Sequence, residues 1–89
     1  MVKRNKLEII KDILTIIKNN RNSLKITPLI RKSNLSTSRF SSYFNELLRK
    51  GLVIETHNEG RKAIRVTEKG QKYIEKYSNI VGFIEEFDL

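Results

Sequence analysis

The sequence has no cysteine and only one histidine among its 89 residues. Without thiolates it has no disulfide framework, no thiolate zinc site and no cysteine nucleophile, and the lone His57 lacks a second imidazole with which to hold a metal. Long apolar runs are also missing, because Lys11, Asp12 and Thr15 interrupt the isoleucine-rich stretch 9–17. That stretch fits neither a membrane span nor a secretory core. We therefore expect a cytoplasmic protein without a metal or other cofactor.

Recognisable catalytic groups are scarce as well. There is no glycine-rich loop to cradle a phosphate, no serine, histidine and acid arranged for nucleophilic attack, and no carboxylate pair that sequence alone places in a cleft. The chain has room for one small domain, which excludes large catalytic architectures. We expect a binding protein and not an enzyme, with no small-molecule substrate and no membrane partner.

What the sequence has in excess is positive charge. Eighteen lysines and arginines face ten acidic residues, which gives a formal net charge of +8. Residues 1–66 carry 15 basic and 5 acidic side chains, whereas residues 67–89 carry 3 and 5. This uneven distribution favours a polyanionic partner for the first part, and double-stranded DNA is the partner that we expect. The alternative is that the lysines only solvate the surface of a small protein.

Helices are predicted along the first half of the chain. Apolar residues with helical spacing predict a first helix over residues 4–19, and Leu24-Lys25-Ile26 has the alternation of a very short strand. Thr27 as the cap and Pro28 at the first helical position would start a second helix, which ends near Lys32. After a turn at residues 33–35, Ser36 is expected to cap a third helix. The first buried stripe comprises Leu7, Ile10, Ile13, Leu14 and Ile17, and the third helix covers residues 36–50.

The pattern changes after Gly51, which is expected to end the third helix in a left-handed conformation. The segments on either side of a polar turn at residues 57–61 alternate like the strands of a β-hairpin. Thr67 is predicted to cap a last helix that runs to Phe87. Two helices joined by a short turn and followed by a hairpin form the winged helix-turn-helix arrangement. The predicted strands are residues 52–56 and 62–66.

The side of the third helix opposite its apolar stripe is rich in short hydroxyl side chains. A helix that enters the major groove needs short hydrogen-bonding side chains near its N-terminal half and longer basic ones that reach phosphate or guanine. Serines are poor helix formers, so a merely solvated face has little reason to collect them. The predicted DNA-binding residues are Thr37, Ser38, Arg39, Ser41, Ser42, Asn45 and Arg49 of this helix and Arg61 and Lys62 of the wing at residues 57–62.

The last helix is longer than a small domain needs to cover its core. At roughly 30 Å, its second half is expected to project and to pair its apolar seam with a second copy of the chain. Lysines in its first half and acids at its end favour an antiparallel pair. The alternative is a helix that folds back over the first helix, with Gly82 marking a break. The predicted dimerisation residues are Tyr73, Tyr77, Ile80, Ile84 and Phe87.

Four segments of the chain resemble the archaeal winged helix-turn-helix family that includes the 10a-type DNA-binding chromatin proteins. They are LEIIKDIL at 7–14, NLS at 34–36, LLRKGLV at 47–53 and VTEKG at 66–70. The resemblance spans nearly the whole chain. It implies a DNA-binding dimer joined by antiparallel C-terminal helices, with the third helix as the recognition element and the hairpin as the wing. The family's functions include both chromatin coating and gene-specific regulation.

These observations predict an α+β fold that is mostly helical. A winged helix-turn-helix domain is expected over residues 1–70, followed by a C-terminal dimerisation helix over residues 71–89 that pairs as an antiparallel coiled coil. The hypothesis for function is a homodimeric double-stranded DNA-binding protein, either a transcriptional regulator or a small nucleoid-associated protein. The alternative is a winged-helix protein-interaction module without affinity for duplex DNA, which docks through the aromatic seam and the acidic tail.

Overall fold

The computed structural model describes residues 4–89, which form four helices and one antiparallel hairpin. This is the predicted mostly helical α+β fold, and apart from the short strand at residues 24–26 its elements follow the predicted order. None of the helices within this range combines the length and the apolar character that crossing a bilayer requires. The elements are α1 (Lys6–Asn19), α2 (Ile26–Ser33), α3 (Thr37–Arg49), β1 (Val53–Asn58), β2 (Arg61–Val66) and α4 (Glu68–Glu86).

The core is built around α1, which packs against α2, β2 and α4. Its stripe is buried from Ile9 to Ile17, and Leu14 and Ile17 have no exposed surface. Leu7 was predicted to belong to this stripe, but its side chain is 54% exposed. The helical period does bring Leu7 to the same side as Leu14. It lies in the first turn, however, where the neighbouring elements no longer cover the helix.

Side-chain caps begin three of the four helices. The Asn5 side chain accepts a hydrogen bond from the Glu8 N–H at 2.8 Å and starts α1. Ser36 and Thr67 accept in the same way at the starts of α3 and α4, as the sequence predicted. These caps pair backbone donors that a helix cannot pair within itself.

The predicted start of α2 was wrong. The helix begins at Ile26 with Lys25 as its N-cap, and no side chain caps it. Thr27 and Pro28 therefore occupy the second and third helical positions, where proline is still tolerated because that N–H has no partner within the helix. The predicted strand at residues 24–26 shrinks to one isolated bridge between Leu24 and Ile64. This long-range bridge holds Leu24 extended and lets the helix start directly after Lys25.

The hairpin is longer than predicted and its turn is shorter. Asn58 pairs with Arg61, so the turn consists of Glu59 and Gly60 only. Both turn residues have positive φ, 52° and 77°, which is the requirement of the type I′ turn that suits the twist of paired strands. The predicted five-residue turn at 57–61 was wrong because the strands remain paired as far as Asn58 and Arg61.

A side-chain amide extends the sheet on the outer edge of β2. Asn22 lies in the left-handed region with φ 53°. Its Oδ1 accepts from the Val66 N–H at 2.8 Å and its Nδ2 donates to the Val66 carbonyl at 3.2 Å. The amide thus takes the place of a strand residue next to the Leu24–Ile64 bridge, and it fastens the α1–α2 turn to the end of the hairpin.

Helix α4 runs without interruption through Gly82, so the break that belonged to the alternative of a folded-back helix is absent. Its first turn lies close to the start of the hairpin. A side chain at Gly70 would collide with the carbonyl oxygen of Leu52 and would lie 2.6 Å from Val66 Cγ1, whereas nothing lies within 4 Å of the corresponding position at Gly82. The two glycines of α4 therefore have opposite roles: Gly70 permits close packing and Gly82 only weakens the helix.

We predict that Gly70→Ala and Gly82→Ala change the stability in opposite directions. The first substitution forces backbone apart and should lower the free energy of unfolding by about 1–3 kcal/mol. The second removes an exposed glycine from a helix interior and should raise it by about 1 kcal/mol. Urea unfolding followed by circular dichroism measures both values. Equal effects of the two substitutions would show that the contact at Leu52 is not tight in solution.

Candidate nucleic-acid interface

Helix α3 has one buried side and one free side. Phe40, Phe44 and Leu47 are buried, and the two phenylalanine rings stack with centroids 5.4 Å apart. On the other sides of the helix, every residue that the sequence predicted for DNA contact is exposed. The structure therefore brings these groups together on solvent-facing helix surface. They are Thr37, Ser38, Arg39, Ser41, Ser42, Asn45 and Arg49.

The turn between α2 and α3 fixes how this surface is presented. Asn34 ends α2 in the left-handed conformation with φ 60°, and Ser36 then caps α3. Ser33 is buried, and its hydroxyl donates to the Ile30 carbonyl at 2.6 Å. Leu35 packs against the core from within the turn. A short turn with a satisfied buried hydroxyl and one apolar anchor leaves little freedom in the angle between the two helices.

Glu46 is the single acid of α3, and two lysines neutralise it. Its Oε1 accepts from Lys50 Nζ and from Lys6 Nζ, each at 2.8 Å. These hydrogen bonds, from Lys50 first and Lys6 second, lower the pKa of Glu46 to about 2. The i,i+4 spacing to Lys50 is readable from the sequence, whereas the partner at Lys6 comes from a contact between distant segments. The surface of α3 therefore carries no unpaired negative charge.

The hairpin places its predicted contacts on different faces. Arg61 and Lys62 are both exposed, but they are neighbours in β2 and so point to opposite sides of the sheet. The tip itself is formed by Glu59 and Gly60. Arg65 is exposed as well and shares the face of Arg61. A basic side chain is thus available on either face of the wing, while an acid occupies its end.

A groove of about 520 Å³ separates the start of α2 from the hairpin. Lys25, Arg61 and Lys62 are among the residues that line it, together with the one acid Glu55. Lys25 was not predicted as a DNA contact. It lies next to the wing because α2 starts earlier than the sequence indicated. The basic surface of the hairpin therefore continues onto the helix-turn-helix unit.

The residues predicted for dimerisation divide into two groups along α4. Tyr73 and Tyr77 are half-buried within their own chain. The Tyr73 hydroxyl donates to the Leu7 carbonyl at 2.8 Å, and burial, with a smaller effect of Tyr77, raises the pKa of Tyr73. Lys11 Nζ lies 5.4 Å from the centre of the Tyr77 ring, a cation–π distance. This first half of α4 is therefore packed on α1.

The second half of α4 exposes an apolar stripe. Ile80, Ile84 and Phe87 are 56%, 44% and 57% exposed. Phe83, which the predicted seam omitted, is 56% exposed and packs against Phe87 with ring centroids 4.9 Å apart. The chain then turns at Asp88 with φ 55°, and the Leu89 N–H donates to the Ile84 carbonyl. The helix thus ends in a Schellman motif that folds Leu89 back toward the stripe.

No group of three potential metal-ligating side chains occurs within residues 4–89. The residues predicted for DNA contact carry hydroxyls, an amide and cations on α3 and the hairpin, all exposed. Such a set can contact a ligand by hydrogen bonds and charge.

A family model described as winged helix-turn-helix matches residues 3–85, which is nearly the entire sequence. The chain belongs to the winged helix-turn-helix family. Helices α2 and α3 are the helix-turn-helix of this family, and the β1–β2 hairpin is its wing. The expected resemblance to an archaeal winged-helix family is thereby confirmed at the level of the fold.

Solved structures agree with this winged helix-turn-helix assignment. Sso10a-2, a DNA-binding protein from Sulfolobus solfataricus, superposes with a TM-score of 0.74 at 24% identity, over 94% of this chain and 85% of that one. SSV1 F-93 gives 0.63 at 21% identity, over 88% and 91%. The PcaV transcriptional regulator from Streptomyces coelicolor gives 0.73 at 16% identity, over 89% and 60%. No curated protein sequence matches the chain.

We predict an acid-sensitive contribution of Glu46 to stability. Its pKa in the folded chain, about 2, lies below the usual value of 4.5, so the charged pair favours folding above about pH 4.5 and loses this effect as the pH falls toward 2. Glu46→Gln should be less stable at neutral pH and should lose less stability across this window. Thermal unfolding at about pH 7, 4 and 2.5 measures the difference. Glu75→Gln, an exposed acid outside these pairs, should keep the pH response of the parent chain.

Proposed function

We propose that this chain is a homodimeric double-stranded DNA-binding protein, acting as a transcriptional regulator or a small nucleoid-associated protein. In this proposal α3 enters the major groove, and the wing contacts the phosphate backbone or the adjacent minor groove. The observation that carries it is the free side of α3, where short hydroxyls and an amide are flanked by guanidinium groups and the one acid is neutralised.

The side chains of α3 suit the proposed contacts. Ser38, Ser41 and Ser42 are short, so the helix backbone can approach the bases closely enough for hydrogen bonds in the groove. Asn45 is the side-chain type that pairs with adenine, and Arg39 the type that pairs with guanine or binds phosphate. Neutralisation of Glu46 supports this role, since an unpaired carboxylate on this surface would repel phosphates.

The wing suits contact along its sides better than insertion of its tip. Glu59 would meet the negative potential of the minor groove first, whereas Arg61 and Lys62 stand behind it on opposite faces. Lys25 adds a third cation beside the groove next to the wing. We propose that these groups neutralise phosphates on the strand that flanks the major groove. Two of the structural relatives are described as a DNA-binding protein and a transcriptional regulator, which supports the same role.

The proposed dimer joins two chains through the second half of α4. Ile80, Phe83, Ile84 and Phe87 follow the spacing of a helix–helix seam and are each about half exposed. Soluble monomers rarely leave such a continuous apolar stripe uncovered. In an antiparallel pair the acids at the end of this helix do not lie opposite those of the partner, as they would in a parallel pair. The dimer would then carry two copies of α3, one for each half of a two-fold site.

The proposed DNA binding predicts a steep dependence on salt. If each protomer neutralises about four phosphates, log affinity should fall against log salt with a slope near −7 for the dimer. Arg61→Ala should weaken binding to every duplex several-fold and make the slope less steep by about 2, one contact in each protomer. Fluorescence anisotropy of a labelled duplex between low and high salt measures both quantities.

Glu59→Gln is the matched control, because it changes one charge at the neighbouring wing position in the opposite sense. It should strengthen binding to all duplexes. A flat salt response of the parent chain would remove the proposal and favour a winged helix that binds another protein. Selection of bound sequences from a random duplex library then separates a regulator, which enriches one motif, from a coating protein, which enriches none.

The proposed dimer is tested by Ile84→Asp. A buried charge in the seam should abolish pairing, so that light scattering reports the mass of one protomer in place of two. Asn79→Asp adds the same charge on another side of α4 and should leave the mass unchanged. A parent chain that is already monomeric at high micromolar concentration would contradict the dimer without affecting the prediction for DNA.

A further inference from the structure

Residues 4–7 touch each of the other helices. Arg4 Nη2 donates to the Ser33 carbonyl at 3.1 Å, at the end of α2 and the beginning of the helix-turn-helix turn. Two residues later, Lys6 Nζ donates to Glu46 Oε1 at 2.8 Å on α3. Both members of the helix-turn-helix are therefore held by side chains from the same short segment.

The same segment also receives a bond from α4. The Tyr73 hydroxyl donates to the Leu7 carbonyl at 2.8 Å, although Leu7 itself is exposed. The bond therefore joins the start of α1 to α4 where apolar packing contributes little. Tyr73 precedes the exposed stripe by two turns of helix, so this bond lies between the proposed dimer seam and the rest of the domain.

Arg4 is itself fixed in place. Its Nη1 forms an ion pair with Asp12 Oδ2 at 3.0 Å, and Lys11 Nζ binds the other carboxylate oxygen at 2.8 Å. Burial alone would raise the pKa of Asp12, but the hydrogen bonds from Lys11 and Arg4 lower it on balance. The guanidinium that binds Ser33 is thus anchored on the second turn of α1.

We propose that residues 4–7 form a brace that sets the orientation of α3 relative to α4, with Arg4, Lys6 and Tyr73 as positioning residues. Nothing in the brace needs to touch DNA. Its consequence for DNA reading rests on the proposed function: two copies of α3 on one duplex match two half-sites only if the angle between α3 and the dimer helix is fixed. The brace would then determine which half-site spacing the dimer accepts.

The orientation can be measured without DNA, because the chain has no cysteine of its own. Spin labels on Ser42→Cys in α3 and Ser78→Cys in α4 report the distance between the two helices by pulsed electron spin resonance. Unlabelled chain in excess keeps the measurement within one protomer. We expect one narrow distance distribution in the parent chain. The brace variant, Arg4→Gln with Lys6→Met and Tyr73→Phe, should lose this narrow maximum.

A matched variant makes the same chemical changes elsewhere. Arg31→Gln, Lys18→Met and Tyr77→Phe remove the same two charges and one hydroxyl at positions outside the brace, and they should leave the distribution narrow. Lys6→Arg keeps the charge beside Glu46 and should leave the distribution narrow. If the brace variant proves unfolded by circular dichroism, Lys6→Met and Tyr73→Phe are measured singly, and each should broaden the distribution. Distributions as narrow as that of the parent chain would overturn the proposal.

Duplexes carrying a selected motif supply the second readout. Moving one half-site by five base pairs, half of a roughly 10-base-pair turn, places it on the other side of the duplex, and the parent dimer should lose about tenfold or more in affinity. The brace variant should lose only about threefold or less. If the brace variant broadens the distance distribution but keeps the parent's preference for half-site spacing, the link between the brace and DNA reading is overturned. A parent chain that enriches no motif speaks against specific reading in the proposed function, while the distance measurement still decides whether the brace exists.

Discussion

Burial of the isoleucine and leucine side of α1 is the interaction on which the rest of the molecule depends. Ile9, Ile10, Ile13, Leu14 and Ile17 are almost completely removed from water. Each such side chain contributes roughly 1.5–3 kcal/mol, in a domain whose net stability is expected to be of order 5–15 kcal/mol. Because α2, β2 and α4 all pack on this one helix, its position determines where the helix-turn-helix, the wing and the C-terminal helix lie.

Apolar and polar contacts have different roles in this arrangement. The apolar core joins the elements by hydrophobic burial, which is itself not directional. Direction comes from hydrogen bonds at the periphery: Asn22 on the Val66 backbone, the Thr67 hydroxyl on the Gly51 carbonyl at 2.6 Å, and Lys6 on Glu46. Of these three contacts, the Lys6–Glu46 pair is the one that reaches α3.

Features that depend on local chemistry were predictable from the sequence. The caps at Ser36 and Thr67 and the left-handed glycine at Gly51, φ 73°, need only their nearest neighbours, and the structure has all three. The exposed side of α3 followed from its helical period. The predictions that failed concern features that depend on contacts between distant segments. The start of α2 is governed by a bridge from Leu24 to Ile64, which no local preference of Thr27 or Pro28 encodes. The Lys6 partner of Glu46 and the Leu7 partner of Tyr73 were invisible for the same reason.

The amide of Asn22 has a consequence for how this protein behaves when many copies crowd together. An unpaired strand edge is a template on which other chains can add, and natural proteins obstruct such edges. Along the outer side of β2, the backbone groups of Ile64 pair with Leu24, and those of Val66 form hydrogen bonds with the Asn22 side chain. The next residue with backbone groups facing this side is Lys62, whose charge discourages an incoming strand. The hairpin thus combines an accessible basic surface with an obstructed outer edge of β2.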